Sequence, residues 1–340
     1  MFLVVSAPAA WGQTKKPATL AELAAYTGAD RQQILLAGAK AEGRVVWYTS
    51  LAGSSYKELA KGFEAKYPGI RLEAYRAAGR ELLSKVLAEG QAKQYLADAF
   101  ESSLPLLKSL REERALTPYF SAHLSSYPAS ATEKADRDLI YWAVIRESYI
   151  GLGYNTSLVS PNAVPRSFAD LLKPEFKGKI GFATSDTGSR VLGAILKFRG
   201  EEFLKKLKSQ EISLHSISGR AIADLVISGE LALSPTVFRE HALESKGKGA
   251  PINWTPLDVV PTNAGGVSLS AHAPHPHAAL LLADFLLSPE GLKILEKLEF
   301  TTGIDDPGFK RWYPESGLNT GQYDKEVTLW QKLLRELGRK

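Results

Sequence analysis

The 340-residue chain predicts an α/β fold of two lobes, each a mostly parallel sheet flanked by helices, with a hinge between them. Three observations lead there. Between Gly43 and Phe100, short β-branched and aromatic runs alternate with segments of helical period, the pattern of a parallel sheet covered on both faces. Strand and helix readings continue beyond Tyr149. The length also exceeds what one ordinary hydrophobic core supports.

Residues 1–12, MFLVVSAPAAWG, hold an apolar run followed by small residues, the layout of a signal peptide's core and cleavage site, with the cut expected near Gly12-Gln13. This stretch lacks a basic leader, and a buried amino-terminal strand is the competing reading. Residues 13–42 form a helical extension. Within it, Ala18 to Ala41 reads as two short helices broken at Thr27-Gly28, with Asp30 capping the second, packed as a lid on the first lobe's sheet and carrying no chemistry. Arg44 to Tyr48 is a strand, Thr49 to Ser55 a polar loop, and the segment bearing Leu59, Phe63 and Tyr67 a helix stopped by Pro68-Gly69. Ile70 to Tyr75 is a second strand, Arg80 to Ala92 a second helix, and Ala97 to Phe100 opens a third strand.

Glu101-Ser102-Ser103 come next, then a helix from Leu104 to Arg114 and an extended piece ending near Pro118-Tyr119. Tyr141 to Ile145 and Tyr149 to Tyr154 read as two separate strands. Beyond them lie a helix at Ser167 to Leu172, a strand at Lys179 to Ala183, and helices at Ser189 to Arg199, Glu201 to Lys208 and Gly219 to Ser228. Strand Leu231 to Ser234 precedes the return near Leu257 to Val260; Val267 to Leu269 is again a strand of the first lobe, and His277 to Leu287 a helix. Ser288-Pro289-Glu290 supply cap, first turn and acid of the helix that follows, and the charged tail from Thr301 turns helical at about Asp324.

Composition narrows the function. Hydrophobic residues at 44% and charged residues at 23% are those of a folded soluble chain. No cysteine is present, which excludes disulfides, thiolate metal sites and cysteine nucleophiles. The net charge of +5 is spread along the chain, and no Lys/Arg block with interleaved aromatics argues for nucleic acid. No apolar run of about 18 residues predicts a membrane span.

The ordered phrases YTS, FEAKYPGI, GRELLSKVLAE, LADAF, LLKPEFKGKIGFATSDTGS, ADLVISGELAL and HPHAALLLADFLLSPEGLKIL give the stretch from Gly43 to Leu298 a family likeness. It resembles bacterial extracellular solute-binding proteins of ABC importers, in the branch that includes periplasmic ferric-ion binders. The resemblance implies a type II periplasmic-binding-protein fold. It places lobe one at residues 43–145 plus 258–300, and lobe two at 146–257 plus 301–340, with the tail bracing the second lobe. It also implies export to the periplasm, a small-molecule ligand taken into the cleft by hinge closure, a permease at the inner membrane as partner, and a monomer without cofactor or nucleic acid.

Candidate ligand-binding residues come from strand-to-helix junctions, where free backbone N–H groups and hydroxyls face a cleft. In lobe one these are Thr49 and Ser50, for which capping and binding stand equal, whereas Ser54 and Ser55 read as caps. Glu101, Ser102 and Ser103 stand at the next junction. In lobe two, Thr184, Ser185, Thr187 and Gly188 form a small-residue run fit for an oxyanion, against Asp186 acting merely as a cap. Arg80 and Arg220 each open a helix, where a cation works against the macrodipole unless an anion sits nearby; an exposed arginine is the equal alternative for each. No cluster of carboxylates or cysteines accompanies His272, His275 and His277, and their turn lies at a strand-to-helix junction, so the metal reading loses there. Trp47, Tyr48, Trp142, Tyr149 and Tyr154 read as core, with Tyr48 and Tyr154 near strand ends.

Ferric binders of the family use two adjacent tyrosines after the strand that follows the ADLVISGE-type helix, with a lobe-one carboxylate and often a histidine. Here the tyrosine pair falls at Val237-Phe238, the glutamate at Ser103 with Glu101 two residues earlier, and the loop after Tyr48 holds no histidine. The expected ligand is therefore a small oxyanionic organic molecule: a phosphonate, a sugar phosphate or a carboxylate. The alternative keeps the fold and binds ferric iron or a metal chelate through Glu101, Asp186 and Tyr154. An enzyme is the least favoured reading, since thiamine-cleaving and tetrapyrrole-building catalysts of this fold class depend on a cysteine, and no G-x-S-x-G elbow occurs.

Overall fold

The computed structural model describes residues 17–51, 55–298 and 300–338. The signal-peptide expectation and the capping expectation for Ser54 fall outside these residues. Helices α1 (Leu20–Ala24) and α2 (Arg31–Glu42) form the amino-terminal extension. Thr19 and Glu22 close a capping box on α1, and Gly43, at φ 72°, ends α2 in the left-handed region that suits glycine. Asp30 stands at the start of α2 but its carboxylate accepts the Tyr26 hydroxyl at 2.6 Å, making no cap bond.

Strand β1 (Arg44–Thr49), α3 (Ser55–Lys66), β2 (Arg71–Arg76), α4 (Gly79–Gln91), β3 (Ala99–Ser103) and α5 (Leu104–Glu112) then alternate, with β2, β1 and β3 parallel neighbours. Glu101, Ser102 and Ser103 belong to β3 itself. Two short strands, β4 (Leu116–Thr117) and β5 (Thr132–Lys134), lead into β6 (Ile140–Asn155). In the second lobe come β7 (Gly181–Ala183), α6 (Asp186–Arg199), α7 (Glu201–Lys208), β8 (Ser213–His215), α8 (Gly219–Ser228), β9 (Leu233–Phe238), α9 (Arg239–Gly247) and β10 (Ile252–Thr255). The chain returns through β11 (Val260–Ser270), α10 (Pro276–Leu287) and α11 (Pro289–Lys297), and ends with β12 (Arg311–Trp312) and α12 (Thr320–Leu337).

Several segments differ from their sequence reading; β11, for one, runs the 11 residues Val260–Ser270 rather than Val267 to Leu269. The two strands expected around residues 141–154 are one 16-residue strand, β6, which pairs with β11 and β5 at one end and with β9 and β10 at the other. The polar triplet Arg146-Glu147-Ser148 suggests a break, yet buried partners let the strand continue. Strand β9 runs past Ser234 through Pro235, because the ladder shifts register between Gly151 and Gly153 and leaves the proline opposite the irregularity. Helix α6 begins at Asp186, so Thr187 and Gly188 lie in its first turn. Residues 168–172 form a 3₁₀ turn capped by Ser167.

Strands β6 and β11 lie side by side, antiparallel, and are the principal strands running from lobe to lobe. Behind them the tail ties the lobes together. Lys108 of α5 donates to the carbonyls of Glu315 and Leu318, and the Thr320 N–H donates to Glu112 at 3.0 Å, while α12 packs on α6 and α7.

The first lobe's core is centred on α10, buried from Ala278 to Leu287 and sandwiched against α2 and the sheet. A helix apolar on every side has no other stable place. Its one charge, Asp284, meets Arg31 of α2 at 2.5 Å with both side chains nearly fully buried. The second lobe's core gathers Phe168, Phe182, Leu192 and Ile195 with Trp330 and Leu334 of α12. The extension is therefore pinned by charge as well as packing. Replacing Asp284 with alanine leaves a buried guanidinium uncompensated and should lower unfolding stability by about 3–5 kcal/mol, read from urea denaturation; a loss under 1 kcal/mol would show that water reaches Arg31.

Candidate functional site

Where β6 crosses between the lobes, successive side chains point to opposite faces. Arg146 and Ser148 face one way; Glu147 and Tyr149 face the other, where Glu147 is held by Arg311 at 2.8 Å, the Tyr149 hydroxyl at 2.6 Å and the Tyr313 hydroxyl. Burial and the Glu147 charge push both tyrosines above the usual phenol range. That back face is saturated with internal bonds. The front face is not.

Arg146 is 7% exposed and its Nε donates to Glu101 Oε1 at 2.8 Å. One terminal nitrogen lies 3.4 Å from Ser50 Oγ, and the other N–H groups meet no acceptor among the described residues. Glu101 is fully buried, and its second oxygen accepts from the Thr49 hydroxyl at 2.7 Å and the Ser50 N–H at 3.2 Å. The Ser102 hydroxyl donates to Ser50 Oγ at 3.0 Å. Space for the guanidinium exists because its neighbour on β11 is Gly265, where an added Cβ would come within 2.6 Å of Arg146 Cζ. The ladder shifts beside it, between Gly265 and Gly266.

The second lobe brings Glu240, in the first turn of α9. Ser148, Arg146 and Arg239 face its carboxyl and favour its charge, but burial outweighs them and raises it to about 7. Nearby, Gly219 opens α8 with the Phe238 ring 2.8 Å from where a Cβ would stand and the Thr187 hydroxyl at 3.5 Å, so Thr187, Gly219 and Phe238 form one wall. His241 lies edge-on to Phe238 and is held below the usual imidazole range by burial.

The predicted residues divide by what holds them. Thr49, Ser50, Glu101 and Ser102 come together around Arg146. Ser103 ends β3 at the start of α5 without capping it, 4.0 Å from the Cβ position of Gly79. Arg80, beside Gly79, is exposed and pairs with no described residue. Thr184 is tied to the His215 carbonyl. The Ser185 hydroxyl is buried at the start of α6 with no partner among the described residues. Gly188 has a structural reason for its missing side chain, since a Cβ would stand 1.8 Å from the Ala183 carbonyl oxygen. Arg220 is turned to Glu244 at 2.8 Å and Asp224 at 3.7 Å, carboxylates that relieve its place at a helix start.

The three histidines of the 272–277 turn separate. His275 bonds Asp98, His277 bonds Glu42, and His272 stacks on Tyr95. Tyr154 is bonded by Asn253 on β10. Among the described residues no three His, Asp or Glu side chains gather to hold a metal ion. Two hollows of about 390 Å³ each lie on the first lobe, and neither is lined by Ser50, Glu101, Arg146 or Glu240. The sequence reading missed Arg146 and Glu240; for Arg146 the available signal was the polar triplet Arg146-Glu147-Ser148 inside an otherwise apolar strand run.

The family model for bacterial extracellular solute-binding proteins matches residues 98–318. The chain belongs to that family, whose members serve as the solute-binding components of ABC importers. An uncharacterized protein of Haemophilus influenzae is 28% identical over 271 residues, covering 76% of this chain and 77% of that one. Among solved structures, iron-bound HitA from Pseudomonas aeruginosa superposes with a TM-score of 0.66 at 20% identity, covering 87% of this chain and 99% of that chain. The periplasmic binding protein AfuA from Actinobacillus pleuropneumoniae, with exogenous fructose-6-phosphate bound, gives 0.64 at 20%, over 86% and 99%. These likenesses confirm the two-lobed α/β fold. No described helix is long and apolar enough to cross a membrane.

Arg146→Met should destabilise the protein by about 3–5 kcal/mol, because it strands the buried Glu101 carboxylate. Adding Glu101→Gln to that variant should recover more than half of the loss in urea denaturation; strictly additive losses would mean that the two side chains are not energetically coupled.

Proposed function

We propose that the protein captures a small oxyanionic organic ligand (a phosphonate, sugar phosphate or carboxylate) in the interlobe cleft and delivers it to an importer permease. One observation carries the reading: a buried arginine on the strand that joins the lobes, fastened by Glu101 along one edge and with donors on the other that meet no acceptor among the described residues. A planar fork of N–H groups out of water is the strongest side-chain receptor for an oxyanion. Ser50 and Ser102 supply neutral donors beside it, and closure of the lobes would bring the Thr187 hydroxyl and the backbone N–H groups of the α6 amino terminus from the second lobe. Glu147, locked by Arg311 and Tyr313 behind the sheet, steadies the crossing about which lobes 43–145 plus 258–300 and 146–257 plus 301–340 would close.

A ferric site receives less support. Val237 and Phe238 bring no phenolate to the end of β9, and Glu101 is already committed to Arg146, Thr49 and Ser50. Iron is nevertheless the ligand in the HitA structure, so metal analysis of protein purified without chelator belongs in the test. Stoichiometric iron would replace the oxyanion reading.

A ligand present at 100 times its dissociation constant stabilises the folded state by about 2.7 kcal/mol. At millimolar concentration, at least one of glucose 6-phosphate, glycerol 3-phosphate, 2-aminoethylphosphonate and citrate should therefore raise the melting temperature by several degrees; no shift with any of them contradicts the proposal. Exposed and unpaired among the described residues, Arg80 can be removed without structural cost. Arg80→Ala should weaken binding of the active anion by roughly 1.5–3 kcal/mol with the ligand-free melting temperature unchanged. Unaltered affinity would remove Arg80 from the site.

A further inference from the structure

We propose that Glu315 is a positioning residue for ligand capture: it forms a direct ion pair with Arg190 when the lobes close, and so holds the α6 amino terminus over the ligand although neither side chain touches it. The inference rests on the oxyanion and hinge-closure reading above and assigns the pair that stabilises the closed form. Its starting point is a carboxylate without a hydrogen bond. Glu315 is 3% exposed, and neither of its carboxylate oxygens meets a donor among the described residues. Its ion-pair partner is the Arg190 guanidinium, whose Nη1 stands 3.8 Å from Oε2 on a side chain that is 12% exposed. Charge-assisted N–H···O bonds run at about 2.7–2.9 Å, so the pair is about 1 Å too wide for contact. A buried charge met this loosely is costly. Burial raises the Glu315 carboxyl above the usual range, against the pull of Arg190 and Lys108.

The two partners are anchored on opposite sides of the hinge. Glu315 lies in the turn between β12 and α12, which α5 of the first lobe grips: Lys108 donates to the Glu315 and Leu318 carbonyls, the Ser109 and Thr320 hydroxyls stand 3.3 Å apart, and the Thr320 N–H donates to Glu112. Arg190 lies about one turn into α6 of the second lobe, whose first turn carries Thr187. Its Nη1 reaches the Thr262 carbonyl, on crossing strand β11, only at 3.4 Å. Helix α6 has little room to yield, since an added Cβ would stand 1.8 Å from the Ala183 carbonyl oxygen at Gly188 and 2.7 Å from the Trp330 ring at Gly193. Rotation of the second lobe about β6 and β11 therefore changes the distance between Arg190 and Glu315. The pair is wide in the open arrangement and direct in the closed one. Closure then recovers what the unpaired carboxylate costs the open form, and this gain adds to affinity without any ligand contact.

Glu315→Gln keeps the shape and removes the charge, and two measurements made well above the ordinary glutamate value of 4.5 read the effect. In urea denaturation without added anion, the variant should be at least as stable as the native protein, because a neutral amide costs less to bury than an unpaired carboxylate. Isothermal titration calorimetry then uses glucose 6-phosphate, glycerol 3-phosphate, 2-aminoethylphosphonate and citrate. An anion that binds the native protein should bind the variant about tenfold more weakly, the loss of one charge-assisted hydrogen bond. Adding Arg190→Gln to Glu315→Gln should weaken binding no further. A salt bridge already made in the open form behaves in the opposite way: Glu315→Gln lowers stability without anion, and that result overturns the proposal. A further loss of about tenfold in the double variant overturns it too, since Arg190 would then act without Glu315. If an anion binds the native protein and Glu315→Gln equally, Glu315 has no part in closure and the oxyanion reading survives. If none of these anions binds the native protein, the oxyanion reading falls and this inference with it.

Discussion

A guanidinium withdrawn from water needs a carboxylate, and in this chain that demand is met where one strand passes between two lobes. Glu101 and Arg146 come from different strands, β3 and β6, with β11 between them. Their bond therefore spans the sheet's middle at the point where the first lobe gives way to the second. Gly265 leaves the room, the shifted register beside it aims the side chain, and Thr49 and Ser50 satisfy the rest of the carboxylate. Neither Glu101 nor Arg146 could be exchanged for an apolar residue without stranding the other's charge, and such stranding costs more than most single packing defects.

The two faces of β6 have opposite characters. Behind the sheet, Glu147 is enclosed by Arg311, Tyr149 and Tyr313, a fully bonded cluster suited to holding the tail against the crossing strands. In front, Arg146 keeps donors that meet no acceptor among the described residues, and burial raises the Glu240 carboxyl to about 7. A saturated network gives rigidity; an unsaturated one gives a receptor. Glu147 behind and Arg146 in front are both buried, so the difference between them is one of partners, not of solvent.

Much of the fold was legible because its helices carry clear period and punctuation. The bounds of α7 and α8 coincide with Glu201 to Lys208 and Gly219 to Ser228, each bracketed by glycine before or after. The alternation of β1 to α5 was equally plain, since parallel strands buried on both faces leave continuous apolar runs. What misled was polarity inside strands: Arg146, Glu147 and Ser148 look like a break, and Pro235 looks like a stop. Only the three-dimensional partners, separated by many residues in sequence, turn those positions into strand. The same reason hid Arg146 and Glu240 from the site reading. Thr49, Ser50, Glu101 and Ser102 were reachable because junction chemistry is local, whereas the residues that give Arg146 its place, Glu101 and Gly265, lie far from it in sequence.

The central claim is that Arg146 is the receptor around which the lobes meet. A crystal structure of the protein grown with inorganic phosphate tests it most directly. The account predicts a phosphate within hydrogen-bond reach of the Arg146 guanidinium, with Ser50 and Thr187 approaching it from opposite lobes and the Glu101 bond intact. Phosphate bound elsewhere with Arg146 still paired to Glu101 alone, or a metal ion coordinated in the cleft without Arg146, would contradict it.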